Sequence, residues 1–125
     1  MSLGRGDSFL AGSVDEPLHL RVIVTSPKAG EVVVVSVTSR RQHSEGLVIL
    51  QPGDHPFIQH ESVVAYRFSE IREVAAIEAA LRNGQARQKE PVAEAVLQRI
   101  RAGLKDSLFT PNHVLQYFQE VEASH

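Results

Sequence analysis

The chain is organised around two neighbouring segments that differ in how their apolar residues are spaced. In Leu18–Val24 every second residue is apolar, whereas His19 and Arg21 fall on the opposite face, because strand side chains alternate between faces. Glu31–Thr38 is almost entirely β-branched and apolar, which is typical of a strand in a sheet covered on both sides. Ser26–Gly30 supplies turn residues between them. We therefore predict a central β-hairpin.

Three further segments fit short strands. Ser8–Ala11 predicts a first edge strand, Leu47–Leu50 a third core strand, and residues 62–74 a final strand or strand pair. Short strands at this spacing favour a small barrel or sandwich over alternating βαβ units.

After Val74 the apolar spacing changes to about three and a half residues, as in amphipathic helices. The first predicted helix stops at Asn83-Gly84, and the second starts near Pro91 and ends at or near Gly103. The third starts with Thr110 as N-cap. Their apolar stripes must be buried on the sheet, on each other or on a second subunit. The fold class is thus mainly β with C-terminal helices (α+β), in a single domain over residues 1–125.

Composition narrows the classes of function. The 125 residues are 42% hydrophobic and 22% charged, with a net charge of -2. We therefore do not expect an extended basic surface that binds duplex nucleic acid. The chain has no cysteine, which excludes disulfides, thiolate catalysis and Cys-based zinc sites. Neither an apolar run of membrane-spanning length nor a signal peptide is visible, and we expect a cytoplasmic protein without membrane contact.

The polar residues of the β half carry the candidate chemistry, because phosphate loops, nucleophile elbows and paired zinc histidines are missing from the sequence. A histidine near an arginine and a hydroxyl suits acid–base cleavage of RNA, with His19 moving protons and Arg21 stabilising the negative charge of the pentacovalent phosphate. The alternative is a half-exposed strand histidine beside a surface arginine. No metal and no cofactor is predicted.

Five further residues are candidates for RNA contact: Ser39, Arg40, Arg41, His55 and His60. The two arginines can touch a phosphate, but such a pair also suits a solvated loop. The alternatives for the histidines are packing within a loop for His55 and an ordinary surface position beside Glu61 for His60. A metal held by these two histidines is a third and more distant hypothesis.

Short motifs in residues 6–81 resemble the PemK/MazF-like toxins of toxin–antitoxin systems. They are the opening Gly6-Asp7, the strand Val22–Ser26, the strand Val32–Ser39 ending Val-Thr-Ser, and Glu61–Val64 followed by Ile71–Val74. The resemblance implies an SH3-like barrel over residues 4–74 and a homodimer. It also implies that residues 75–123 form a helical extension on the barrel or on a second subunit, because Pro91–His125 has no counterpart in the compact toxins.

The resemblance also implies a function. The family cleaves single-stranded RNA without a metal, uses an arginine and a threonine, and is held in check by an antitoxin peptide in the same groove. The threonine corresponds to Thr38, whereas the family's Arg-Pro pair falls on His19-Leu20 or on Leu20-Arg21, and the proline is missing. The candidate catalytic residues are therefore His19, Arg21 and Thr38.

Two questions stay open at the level of sequence. One hairpin register places His19 opposite Thr38, whereas a shift by one residue puts Val37 there and turns Thr38 to the other face. The second question is function. Thr38 and the clustered histidines favour a toxin-like endoribonuclease. The weak acidity and missing Arg-Pro favour a non-catalytic SH3-like module for protein binding or dimerisation.

Overall fold

The computed structural model describes residues 3–12 and 18–123, which form a curled antiparallel sheet and three helices. The strands are β1 (Ser8–Ala11), β2 (His19–Ile23), β3 (Glu31–Ser39), β4 (Ile49–Leu50), β5 (Ser62–Glu73) and β6 (Ala86–Lys89). The helices are α1 (Val74–Arg82), α2 (Glu94–Asp106) and α3 (Asn112–Ala123). The strand order is β4-β5-β3-β2-β1-β6. A half-barrel followed by three helices confirms the predicted fold class.

Strand β3 lies between two hydrophobic cores, as its uninterrupted apolar sequence predicts. Val33, Val35 and Val37 pack in one core with residues of α2 and α3. Val32 and Val34 pack on the opposite face in a second core that includes Ile77 of α1. Alternation along the strand sends successive valines to opposite faces, so both faces of the sheet centre are covered.

The hairpin of β2 and β3 adopts one of the two registers that the sequence allows. Leu20 pairs with Val37, and Arg21 pairs with Ser36. Continued by one residue, this register brings His19 level with Thr38 and keeps both on the face that carries Arg21. In the connecting turn Ala29 and Gly30 both have positive φ values, 51° and 79°, a conformation that glycine adopts without strain.

The strand predictions need three corrections. Strand β1 is not at the edge, because β6 pairs along its outer side. Strand β6 was missed because its sequence, Ala-Arg-Gln-Lys, lacks an apolar alternation. The third core strand is only the two residues of β4. Residues 62–73 form one strand with an irregularity in its pairing to β3. Ala65 pairs with Ser36 and Glu70 pairs with Val34, so the four residues 66–69 lie opposite the single residue Val35.

The helices differ from the prediction at their ends. Helix α1 stops as expected before Gly84, whose φ is +85°. Helix α2 instead runs through Gly103 to Asp106. Thr110 does not act as the predicted N-cap of α3, since its hydroxyl donates to the carbonyl of Leu104 (2.8 Å) and so closes the end of α2. The carbonyl that accepts the first bond of α3 belongs to Pro111.

Gly103 is in the helix for close packing and not for termination. A Cβ atom there would lie 2.5 Å from Cγ2 of Val48 and 2.8 Å from Cζ of Tyr66. Tyr66 is fully buried under α2, and its hydroxyl donates to the carbonyl of Ile100 (2.7 Å). The glycine therefore lets α2 approach the sheet closely. None of the helices in the described ranges has the length and apolar character needed to cross a membrane.

Candidate functional site

A pocket of about 300 Å³ opens on the face of the sheet that also carries α1, beyond the end of the second core; we call it the central pocket. Its lining residues are His19, Arg21, Ser36, Thr38, Phe68 and Glu70. The β2–β3 register places the first four on the same face of adjacent strands. The structure thus brings His19, Arg21 and Thr38 to one pocket.

The guanidinium of Arg21 has hydrogen-bonding capacity that the described residues do not use. Its Nη1 atom donates to the hydroxyl oxygen of Ser36 (2.5 Å), whereas its Nε is buried without a hydrogen-bond partner among those residues. Glu70, the carboxylate of the pocket, is paired with Arg72 at 3.4 Å. Because an unmet buried donor is costly, this arrangement favours an anion beside Arg21.

Thr38 lies where three cavities meet. It lines the central pocket and a smaller side pocket of about 180 Å³ that also contains His19, Ser39 and His60. In the side pocket Nε2 of His60 lies 2.6 Å from the hydroxyl oxygen of Ser39, on the protein surface. Two of the predicted RNA contacts, Ser39 and His60, are therefore next to His19 and Thr38.

The third cavity, which we call the aromatic cleft, has a volume of about 590 Å³ and lies between the loop of residues 40–46 and the α2–α3 loop. Among its lining residues are Thr38, Arg41, Arg67, Phe68 and Phe109. Sequence reasoning missed Phe109. Its signal was a pair of large apolar residues, Leu108-Phe109, directly before a helix start, where a solvated loop is expected to be polar.

The two arginines of the 40–46 loop differ in their surroundings. Nη1 of Arg40 lies 2.5 Å from Oε1 of Glu61 in an exposed ion pair. Hydrogen bonds from Gln51 and then Arg40 lower the pKa of the Glu61 carboxyl. Arg41, by contrast, is exposed and lines the aromatic cleft. Of the two predicted phosphate contacts, the structure therefore places Arg41 at a cavity and engages Arg40 elsewhere.

His55 is separated from these cavities. His55 is only 2% exposed, and its Nδ1 accepts a hydrogen bond from the backbone N–H of Phe57 (3.0 Å). The proton then belongs on Nε2, which lies 2.7 Å from the carbonyl oxygen of Glu90 and 3.0 Å from the hydroxyl of Ser8. The imidazole joins three segments inside the protein and lines none of the three cavities around Thr38.

A metal centre has no support in the described part of the chain, where no group of three or more histidine and carboxylate side chains is placed to hold an ion.

The floor of the aromatic cleft includes Tyr66, whose pKa is raised chiefly by burial and by the nearby Glu45 carboxylate. Tyr66 therefore stays a neutral hydrogen-bond donor to Ile100.

The fold and pockets define a curled antiparallel half-barrel with an arginine, a histidine and two hydroxyls on its open face. No family model and no curated protein matches the sequence. Among solved structures, a chain described as "Crystal structure of MazE-MazF (Form-III) from Deinococcus radiodurans" matches with a TM-score of 0.57 and 16% identity, covering 89% of this chain and 100% of that chain. The fold is therefore similar to that of the matched chain of the MazE-MazF structure.

The extent of that match also bears on the helices. Residues 1–90 make up less than 89% of the 125 residues, so a match of that extent must include part of residues 91–125. These are the residues that were expected to have no counterpart in the compact toxins. At least part of the helical region belongs to the shared fold.

Proposed function

We propose that the protein is a toxin-type, metal-independent endoribonuclease that cleaves single-stranded RNA at the central pocket. The observation that carries the proposal is the convergence of His19, Arg21 and Thr38 on one pocket in a MazF-like fold. The partly unsatisfied guanidinium of Arg21 adds to it, because a phosphate is the kind of ligand that this group recognises.

The chemistry follows from the side chains present. A base removes the proton of a ribose 2′-hydroxyl, the oxygen attacks the neighbouring phosphorus, and the 5′-oxygen leaves as it gains a proton. Histidine is the side chain that most often serves as general acid or base in catalysis, so we assign proton transfer to His19 of the central pocket. Arg21 and Thr38 donate hydrogen bonds to the non-bridging oxygens, where negative charge grows during the attack.

The RNA strand is proposed to continue over the neighbouring surfaces. Ser39 and His60 line the side pocket and Arg41 lines the aromatic cleft, and Thr38 lines both cavities. Such contacts to phosphate and sugar position a strand without reading its sequence.

The partners belong to the same proposal. The printed description of the matched structure names MazE together with MazF, and we carry over from it an antitoxin peptide that covers the central pocket. A homodimer and a cytoplasmic location complete the proposal. Size-exclusion chromatography with light scattering tests the homodimer directly, and a monomer at micromolar concentration would remove it.

A second candidate, a non-catalytic protein-binding module, is favoured by exposed apolar residues: Phe68 and Phe109 line the aromatic cleft, and Leu108 lies beside it in the chain. Phe68 is 59% exposed, Phe109 51% and Leu108 95%. Exposed apolar residues that adjoin one another often mark a protein interface. This candidate requires no turnover, and cleavage assays separate it from the first.

The test is incubation of purified protein with a long single-stranded RNA in EDTA. Wild type is compared with His19→Ala, Arg21→Ala and Thr38→Ala, and His113→Ala is the control because His113 is exposed on α3. Acid–base catalysis contributes about 10²–10⁴-fold, so we expect discrete wild-type fragments that the His19 variant does not produce. Uncut RNA in every lane, with folded protein, would favour the binding module.

A further inference from the structure

The aromatic cleft is adjacent to the central pocket and shares two residues with it. Thr38 and Phe68 line both cavities. Phe68 lies in the segment 66–69, where the pairing of β5 with β3 is interrupted, and it is 59% exposed. A nucleotide strand bound at the central pocket would therefore enter the cleft with its next residue.

The opposite wall of the cleft is formed by the loop between α2 and α3. The hydroxyl of Ser107 donates to Oε2 of Glu45 at 2.6 Å and so ties this loop to the 40–46 loop. The same hydroxyl accepts a hydrogen bond from the backbone N–H of Phe109 (3.0 Å). These bonds hold Phe109 in place while its side chain stays half exposed.

The charges at the cleft suit a polyanion. Arg67 lies over the ring of Phe109, with its Cζ 5.2 Å from the ring centre, and Arg41 lines the same cavity. Glu45 is the acidic residue of the cleft: its Oε2 accepts a hydrogen bond from Ser107, its Oε1 has no hydrogen-bond partner among the described residues, and the two arginines outnumber its charge. Aromatic rings interleaved with arginines are the usual platform for single-stranded nucleic acid, because bases stack on the rings and phosphates pair with the cations. The cavity is also in the size range of small-ligand sites.

From these contacts we propose that the aromatic cleft binds the nucleobase next to the scissile phosphate, by stacking on Phe68 and Phe109, with Arg41 and Arg67 on the adjoining phosphate. The inference rests on the proposed ribonuclease function and adds a subsite to it. It makes the α2–α3 loop part of the RNA-binding surface.

The test measures binding apart from cleavage. The probe is a short fluorescein-labelled single-stranded RNA with 2′-O-methyl groups throughout, which cannot be cut because its nucleophile is blocked. Stacking contributes about 1–3 kcal/mol per base, so Phe109→Ala is expected to weaken binding by about 5- to 150-fold in fluorescence anisotropy. Leu108→Ala is the matched control, since Leu108 is 95% exposed and does not line the cleft.

Two further arms identify the contact as base stacking. Phe109→Trp should preserve affinity, and because the chain has no tryptophan, quenching of its fluorescence by RNA reports the stack. A series of probes, each lacking one base, should reveal one position at which wild type loses affinity and Phe109→Ala does not.

The outcomes separate this inference from the proposed function. If wild type cleaves and binds RNA but Phe109→Ala binds as tightly as Leu108→Ala, the subsite is refuted and the ribonuclease stands. If wild type neither binds nor cleaves RNA, both proposals fail. A selective loss in Phe109→Ala, with rescue in Phe109→Trp, establishes the subsite.

Discussion

The guanidinium Nη1 of Arg21 lies 2.5 Å from the hydroxyl oxygen of Ser36, its direct partner across the β2–β3 ladder. This hydrogen bond orients the arginine along the floor of the central pocket. Ser36 is 3% exposed, so it acts on a substrate through Arg21 and is a positioning residue.

Ser36→Ala should therefore lower cleavage without unfolding the protein. A hydrogen bond to a charged group contributes about 1.5–3 kcal/mol. If part of this free energy is lost from the stabilisation of the transition state, kcat/KM falls by about tenfold. Ser36→Thr keeps the hydroxyl and should retain most of the activity. Kinetics on a short fluorogenic RNA check this, and equal rates for the alanine and threonine variants would contradict it.

Gly103→Ala should destabilise the fold, although alanine is the better helix former. The added methyl group would lie within 3 Å of Val48 and Tyr66, and overpacking of this kind costs about 1–3 kcal/mol. Urea denaturation measures the change, with Ala102→Gly as the control at an exposed site of the same helix. A Gly103→Ala variant as stable as wild type would show that α2 shifts freely.

His55→Ala should lower stability and leave RNA affinity unchanged. The substitution removes the acceptor of the Phe57 N–H, whereas the Glu90 carbonyl keeps its hydrogen bond from the Ser8 hydroxyl. One unsatisfied donor costs about 1–3 kcal/mol. Thermal unfolding and anisotropy with non-cleavable RNA, run beside His113→Ala, separate the two effects. Weakened RNA binding in a stably folded His55→Ala would restore this residue to the RNA surface.

Arg101 joins α2 to α3 through an ion pair with Glu122 and also donates to the Val24 carbonyl. Burial is the main cause that lowers the Arg101 pKa. Glu122→Ala should therefore destabilise the protein by about 1.5–3 kcal/mol, because it leaves a largely buried cation with one fewer partner. Denaturation in urea tests this against the exposed control Gln119→Ala, and equal midpoints for the two variants would rule it out.

Local pattern determined much of the fold. The valine run of β3 predicted a strand with two buried faces, and the helical spacing of the apolar residues after Pro91 predicted α2, whose buried residues include Val96, Leu97, Ile100 and Leu104. These patterns are visible in the sequence because the buried side chains of one face recur with the period of the helix or strand. Strand β6 has no such repeat and forms only because the edge of β1 is there to pair with it.

The candidate site divides in the same way. The sequence by itself determined that His19 and Arg21 share a face and that a hydroxyl-rich end of β3 lies nearby, because side chains alternate along strands. Only the tertiary structure decided the hairpin register, the burial of His55, the close packing at Gly103 and the approach of Phe109 to Phe68 across one cleft. These depend on contacts between residues far apart in the chain, and such contacts leave no periodic trace in the sequence.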